Sequence, residues 1–178
     1  KSTGRATAVA RIPLHPTELE RARLLIVGLG NPMMGDDGIG QAVVERLNRI
    51  GPPVGVRVKG LAGDVVGLID LWEGEPNVWI VDAVSSGASA GVIQIFSHRE
   101  LLALSAESHS IHHMSLSENL RWLLHGRPEM AAINFRLFGI EVQSPRPEIG
   151  LSKVVNDAVD YLTEALIAAA RYQPLVQR

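Results

Sequence analysis

The sequence predicts an α/β fold in three layers, with a mostly parallel, twisted sheet of about five strands and helices on both faces. Short, continuous apolar runs alternate with longer segments whose apolar residues recur every three or four positions. Continuous apolar runs are typical of strands that are buried on both faces, and strands alternating with helices favour right-handed crossovers in a parallel sheet. At 178 residues, of which 46% are hydrophobic, one domain is expected.

The elements follow one another without repeats or low-complexity tracts. The predicted strands are 24–27, 54–59, 78–81, 92–96 and 133–137, and the predicted helices are 39–50, 65–72, 116–124 and 153–166. Caps support the last three helices: Asp64 and Ser152 are N-cap residues, and Ser115 with Glu118 forms a capping box. We assign 21–172 to one α/β domain, 173–178 to a tail, and 1–20 to an N-terminal extension or a vector-derived remnant, since the chain begins with Lys1.

Composition narrows the possible chemistry. The chain has no cysteine, which removes disulfides, thiolate nucleophiles and thiolate metal ligands, and leaves oxygen and imidazole groups for any catalysis. A net charge of −2 with 17 basic residues gives little support for binding a nucleic acid backbone. No apolar run approaches the length of a membrane span and no signal peptide is recognisable, so we expect no membrane partner and a cytoplasmic location.

The first strand leads into a glycine-rich turn with two adjacent carboxylates. Gly28, Gly30 and Gly35 permit unusual backbone conformations, and Asp36 and Asp37 lie where the next helix begins. Negative charge is favoured at a helix N-terminus, so capping and chemistry both remain open for these aspartates.

Two phosphate-binding motifs do not fit this turn. The third glycine of a dinucleotide-binding G-x-G-x-x-G motif should stand at Met33, and the aspartates would repel a pyrophosphate at the helix start. A P-loop is excluded because no Gly-Lys-Ser/Thr sequence is present.

A second dense group of polar residues lies at 108–115. It contains three of the six histidines, namely His109, His112 and His113. Asp37 follows the first strand and Asp82 ends the third, and ligands of such folds bind beyond the carboxyl ends of the strands. Two carboxylates and one imidazole can bind zinc, nickel or iron and leave coordination positions open. The alternative is that the histidines are surface or capping residues without a role in binding.

The chain resembles two known families. The segment from Leu25 to Pro32 is similar to the opening of bacterial peptidyl-tRNA hydrolase, but the catalytic histidine of the following loop is absent. The stronger resemblance, from Arg23 to about Leu166, is to the hydrogenase maturation endopeptidases, which trim the large subunit of nickel–iron hydrogenases. Three ordered motifs carry it: Gly28-x-Gly30-Asn31-x4-Asp36-Asp37-Gly38-x-Gly40, Val81-Asp82-Ala83 and Ser110-x-His112-x-Met114-x-Leu116.

This resemblance implies a metal site and a substrate. Asp37, Asp82 and His112 would bind the metal, with a one-residue ambiguity between His112 and His113. The metal is expected to be nickel supplied by the hydrogenase large-subunit precursor, although a surrogate divalent metal could occupy the site. One departure is the turn Lys59 to Gly63, which lacks a threonine found in many members.

The catalytic step implied by the resemblance is cleavage of a C-terminal extension after nickel insertion. Asp36 and Asp37 are the candidate catalytic residues, either taking a proton beside a metal that polarises the scissile carbonyl or water, or acting as an acidic pair without metal catalysis. The alternatives are a non-proteolytic nickel-binding maturation factor and a peptidyl-tRNA hydrolase-like esterase.

Overall fold

The structure is a computed structural model that describes residues 23–104, 109–110, 116–143 and 150–172. The assignments of 1–20 to an extension and 173–178 to a tail lie outside the described residues. So does Ser115 of the expected capping box.

The described residues form six strands, five α-helices and three 3₁₀ segments. The strands are β1 (Leu24–Leu29), β2 (Val56–Leu61), β3 (Asn77–Ser85), β4 (Ile93–Phe96), β5 (His109–Ser110) and β6 (Asn134–Glu141). The helices are α1 (Ile39–Ile50), α2 (Leu68–Leu71), α3 (His98–Ala103), α4 (Leu116–Gly126) and α5 (Lys153–Arg171), and the 3₁₀ segments are Gly35–Gly38, Val65–Gly67 and Pro128–Met130.

The strands build one mostly parallel sheet in the order β2-β1-β3-β6-β4. Strand β1 pairs in parallel with β2 and β3, and β3 pairs in parallel with β6. The edge strand β4 is antiparallel to β6, and the two-residue β5 adds an antiparallel pair to the end of β3. The carboxyl ends of β1, β3 and β6 therefore meet at the same edge of the sheet.

Two apolar cores, one on each face of the sheet, confirm the predicted three-layer architecture. The first packs Ile26 and Trp79 of the sheet against α1 and α5. The second packs Leu25 and Ile80 against α3, α4 and the segment around α2. Neighbouring positions such as Leu25 and Ile26 are both fully buried because alternate side chains enter opposite cores, which explains the continuous apolar runs.

Several element boundaries differ from the prediction. Helix α3 was not anticipated, although Ser97 and Glu100 form a reciprocal capping box before it. Hydrogen bonds from the Ser97 side chain and backbone lower the pKa of Glu100. The segment after Asp64 begins as a 3₁₀ turn, with the Asp64 carboxylate accepting the Val66 N–H as expected of a cap.

Helix α5 also departs in detail from its expected cap. Ser152 occupies the predicted N-cap position, but its side chain makes no capping hydrogen bond. Its backbone N–H instead donates a hydrogen bond to the carboxylate of Asp36, which is distant in sequence. Within the described part of the chain, none of the helices combines the length and apolarity that a membrane span requires.

Candidate active site

The glycines of the first loop allow the end of β1 to lie directly on the start of α1. A Cβ atom at Gly28 would overlap the carbonyl oxygen of Gly40, and one at Gly40 would overlap the backbone of Leu29. Gly30 has a φ of +108° and lies against the carbonyl group of Asp37. These glycines serve close backbone packing, which places the aspartate turn at the carboxyl end of β1.

Asp37 is the buried carboxylate of this turn. It lies in the 3₁₀ segment that precedes α1, and its side chain is 4% exposed. Its Oδ2 accepts a hydrogen bond from the backbone N–H of Asn31 at 2.9 Å. The bond closes the loop between β1 and α1, so the position of this carboxylate is fixed by its own turn.

Asp36, the preceding residue, is half-buried and has a different partner. Its Oδ1 accepts a hydrogen bond from the backbone N–H of Ser152 at 2.6 Å. Ser152 is the N-cap residue of α5, so the carboxylate lies at the positive end of a 19-residue helix. Capping by Asp36 was one of the two open interpretations, but the helix it contacts is α5, far away in sequence, rather than α1.

Asp82 lies within β3, and the expectation that it ends this strand was wrong. The pairing with β1 stops at Val81, but the pairing with β6 continues to Val84 and the pairing with β5 extends the strand to Ser85. Asp82 is 2% exposed, and its Oδ1 accepts a hydrogen bond from the N–H of Ala83 at 2.9 Å. It shares strand parity with Ile80, which directs its side chain to the sheet face covered by α3 and α4.

The two buried aspartates belong to elements in contact. The 3₁₀ turn that carries Asp37 packs against β3, which carries Asp82. His112 and its alternative His113 lie outside the described residues. Of His109 the structure describes only the backbone, in β5, whose partner strand is the end of β3.

A complete metal site cannot be assembled from the described residues alone. Across the described ranges, no group of three His, Cys, Asp or Glu side chains is arranged to hold a metal ion. Asp37 and Asp82 are oxygen donors of the type that divalent cations accept. Their donor chemistry fits such an ion, but a set of three ligands would need a further donor from outside the described residues.

The expected turn from Lys59 to Gly63, which lacks the family threonine, begins within β2, because this strand continues to Leu61. A different polar group lies beside it. Gln41 on α1 donates from Nε2 to the carbonyl oxygen of Gly28 at 3.3 Å, and its amide oxygen occupies the space that a Cβ of Gly60 would need. Gln41 was not among the predicted site residues. Its signal was weak, because a lone polar residue in an amphipathic helix usually faces water.

Glu141 is a third buried carboxylate at this edge and was also missed as a site candidate. It ends β6, is 1% exposed and lies opposite Val84 in the β3–β6 register. Its carboxylate accepts hydrogen bonds from the connection that follows β3. A glutamate at the end of an apolar strand was the available signal, the same one that marked Asp82.

The arrangement brings buried acids to the carboxyl edge of a parallel sheet, where such folds bind ligands. Carboxylates in this setting can bind a divalent cation, orient a water molecule or accept a proton. They do not suit a phosphate group, because like charges repel.

Comparisons with known proteins agree on one family. The model of the hydrogenase maturation protease family HycI matches residues 42–169, which include Asp82 and begin after Asp37. Protein FrxA of Pyrococcus furiosus is 30% identical over 139 residues, covering 78% of this chain and 98% of that protein. The Hydrogenase 2 maturation protease of Escherichia coli is 28% identical over 153 residues, covering 84% of this chain and 91% of that protein.

A solved structure shows the same fold. The [NiFe] hydrogenase maturation protease HybD from Thermococcus kodakarensis superposes with a TM-score of 0.71 at 26% identity, covering 83% of this chain and 99% of that chain. The matched family model spans most of this sequence, including β3, β6 and most of α5. The chain therefore belongs to the hydrogenase maturation protease family and is a peptidase.

Proposed function

We propose that this chain removes the C-terminal extension of a nickel–iron hydrogenase large-subunit precursor after nickel insertion, and that nickel bound by the precursor is the recognition signal. The observation that carries the proposal is the pair of buried carboxylates, Asp37 and Asp82, on contacting elements at the carboxyl edge of the sheet. Family membership supplies the peptidase activity and the class of substrate.

Recognition in this proposal uses Asp37, Asp82 and His112 as ligands. Two carboxylates and an imidazole are hard or borderline donors, whereas nickel in the precursor would be held by softer thiolates. The chain has no cysteine of its own, so it can contact substrate-bound nickel without offering thiolates that compete for it. Cleavage would then depend on metal loading.

Peptide cleavage also requires an activated water and a proton acceptor. Asp37 is the better candidate for the acceptor, because it is buried at the site and because its contact with the backbone N–H of Asn31 holds the carboxylate in place. One oxygen of Asp36 is bound to the N–H of Ser152, which favours an anchoring role for this residue. A nickel ion held by the precursor would supply Lewis-acid polarisation of the scissile carbonyl.

The test is an incubation of large-subunit precursor, loaded with nickel or nickel-free, with the wild-type chain and the matched variants His112→Ala and His113→Ala. Intact-mass measurement should show trimming of the loaded precursor only, loss of trimming with His112→Ala, and retention with His113→Ala. Equal trimming of both precursors would contradict nickel recognition. The reverse result for the two histidine variants would move the ligand to His113.

A further inference from the structure

We propose that Glu141 is a positioning residue of this site. Its carboxylate fixes the connection that leaves β3, and so keeps Asp82 in one geometry relative to the turn that carries Asp37. The inference rests on the proposed function, because it treats Asp82 as part of the site. It assigns Glu141 no contact with the substrate.

The carboxylate of Glu141 accepts four hydrogen bonds. Oε1 accepts from the backbone N–H groups of Ser86 and Gly87, at 2.7 and 2.9 Å. Oε2 accepts from Ser86 Oγ at 2.8 Å and from Gln94 Nε2 at 2.9 Å. Because the side chain is 1% exposed, these neutral donors replace the water that a charged carboxylate would otherwise bind.

The backbone of Glu141 holds the other end of the same connection. Its carbonyl oxygen accepts from the N–H of Gly91 at 2.8 Å, and its N–H donates to the carbonyl oxygen of Val92 at 2.8 Å. One residue therefore closes both ends of the segment 86–92. Asp82 stands two positions before Val84, the residue opposite Glu141, in the same parallel ladder.

Apolar packing contributes little to the order of this connection. Residues 85–90 are serine, glycine or alanine, and almost all of them are exposed, so they bury hardly any apolar surface. Fixing such a segment costs conformational entropy that the hydrogen bonds must offset. We therefore expect loss of the Glu141 acceptor to loosen residues 86–92 and the end of β3 before it unfolds the domain.

Two substitutions separate geometry from charge. Glu141→Ala removes all four side-chain acceptor contacts. Glu141→Gln keeps an oxygen for the N–H groups of Ser86 and Gly87, and its amide nitrogen can donate to Ser86 Oγ and to a flipped Gln94 amide. A positioning role predicts that glutamine rescues the function that alanine loses, whereas a role for the negative charge predicts that both variants fail.

Glu75→Gln is the matched control, because Glu75 is equally buried but lies before β3, at the opposite end of the sheet. We propose three measurements on the wild-type chain and on each variant: amide hydrogen exchange, kcat and KM for nickel-loaded precursor, and the urea midpoint. Glu141→Ala should accelerate exchange at Ser86 and Gly87 at least about tenfold. It should lower kcat by about tenfold or more with little change in KM. Glu141→Gln should stay within about threefold of wild type, and Glu75→Gln should keep wild-type kcat whatever its stability.

Unchanged exchange at Ser86 and Gly87 in Glu141→Ala would overturn the inference, as would a kcat loss no larger than that of Glu75→Gln. If Glu141→Ala fails to fold, Ser86→Ala, which removes one of the four bonds at an exposed residue, should still accelerate exchange at Gly87, and no change would overturn the inference. A wild-type chain that leaves the precursor intact would refute the proposed function, while the exchange data would still decide whether Glu141 fixes the connection.

Discussion

The two ends of the sheet hold buried glutamates in different ways. At the amino end, Glu75 pairs with the guanidinium of Arg57, which also donates to the carbonyl oxygen of Leu71 at 3.1 Å. At the carboxyl end, Glu141 is held by the backbone and side chains of a connection made of small residues. Both side chains are 1% exposed.

This difference suggests two roles for buried acids: we expect the acid at the amino end to matter for stability and the acids at the carboxyl end to matter for activity. At the amino end, Glu75 also accepts the backbone N–H of Glu73, but its charge is paired with a cation, so we expect removal of one partner to reduce stability. At the carboxyl end, Asp37 accepts a hydrogen bond from a backbone N–H of its own turn, and Glu141 accepts hydrogen bonds from backbone N–H groups of the connection that follows β3. Their partners fix loop geometry, so substitutions there should affect activity more than stability.

The largest expected effect is that of Asp37→Asn on activity. The amide can still accept the N–H of Asn31, but it cannot take a proton or bind a cation as a carboxylate does. We expect processing of nickel-loaded precursor to fall by about 100-fold or more, with circular dichroism and the urea midpoint close to wild type. Wild-type processing by this variant would show that Asp37 is not part of the site. It would also contradict the view that the acids at the carboxyl end matter for activity.

The next effect concerns stability at the amino end. Glu75→Ala leaves the partly buried guanidinium of Arg57 without its main partner, although Glu73 remains at 2.6 Å. Because Arg57 is 21% exposed, we expect a loss of about 2 to 3 kcal/mol in the free energy of unfolding, below the usual range for breaking a buried pair. Urea denaturation measures this loss. A selective loss of kcat at full folding would contradict the structural assignment of this end.

The smallest effect is expected for Asp36→Asn, which distinguishes an anchor from a catalyst. The amide oxygen can still accept the N–H of Ser152, so only the charge at the N-terminus of α5 is lost. We expect a loss below about 1 kcal/mol in the free energy of unfolding, with precursor processing within about threefold of wild type. A much larger fall in kcat would instead make Asp36 a catalytic residue.

The fold could be predicted from the sequence because its signals are local and periodic. Strand β1 and helix α1 follow from the apolar run at 24–27 and from the spacing of the apolar residues Ile39, Val43 and Leu47. Helix α3 was missed because its six residues are too few to show a helical period. Strand β5 has only two residues and exists through its partner, which no local pattern reveals.

The site could be predicted only in part, because hydrogen bonds between distant elements leave no trace in spacing. Asp37 and Asp82 stood out as acids next to buried strands, and the structure places both at the expected edge. The bond from Ser152 to Asp36 joins residues 116 positions apart. The hydrogen bond from Ser86 to Glu141 joins residues 55 positions apart, so neither contact could be predicted from the sequence alone.

The mass of nickel-loaded large-subunit precursor after incubation with the wild-type chain tests the central claim most directly. We predict a single shortened product that lacks the C-terminal extension, together with the released extension peptide, and processing slower by about 100-fold or more with Asp37→Asn. A precursor that keeps its full mass with a folded wild-type chain would contradict the account.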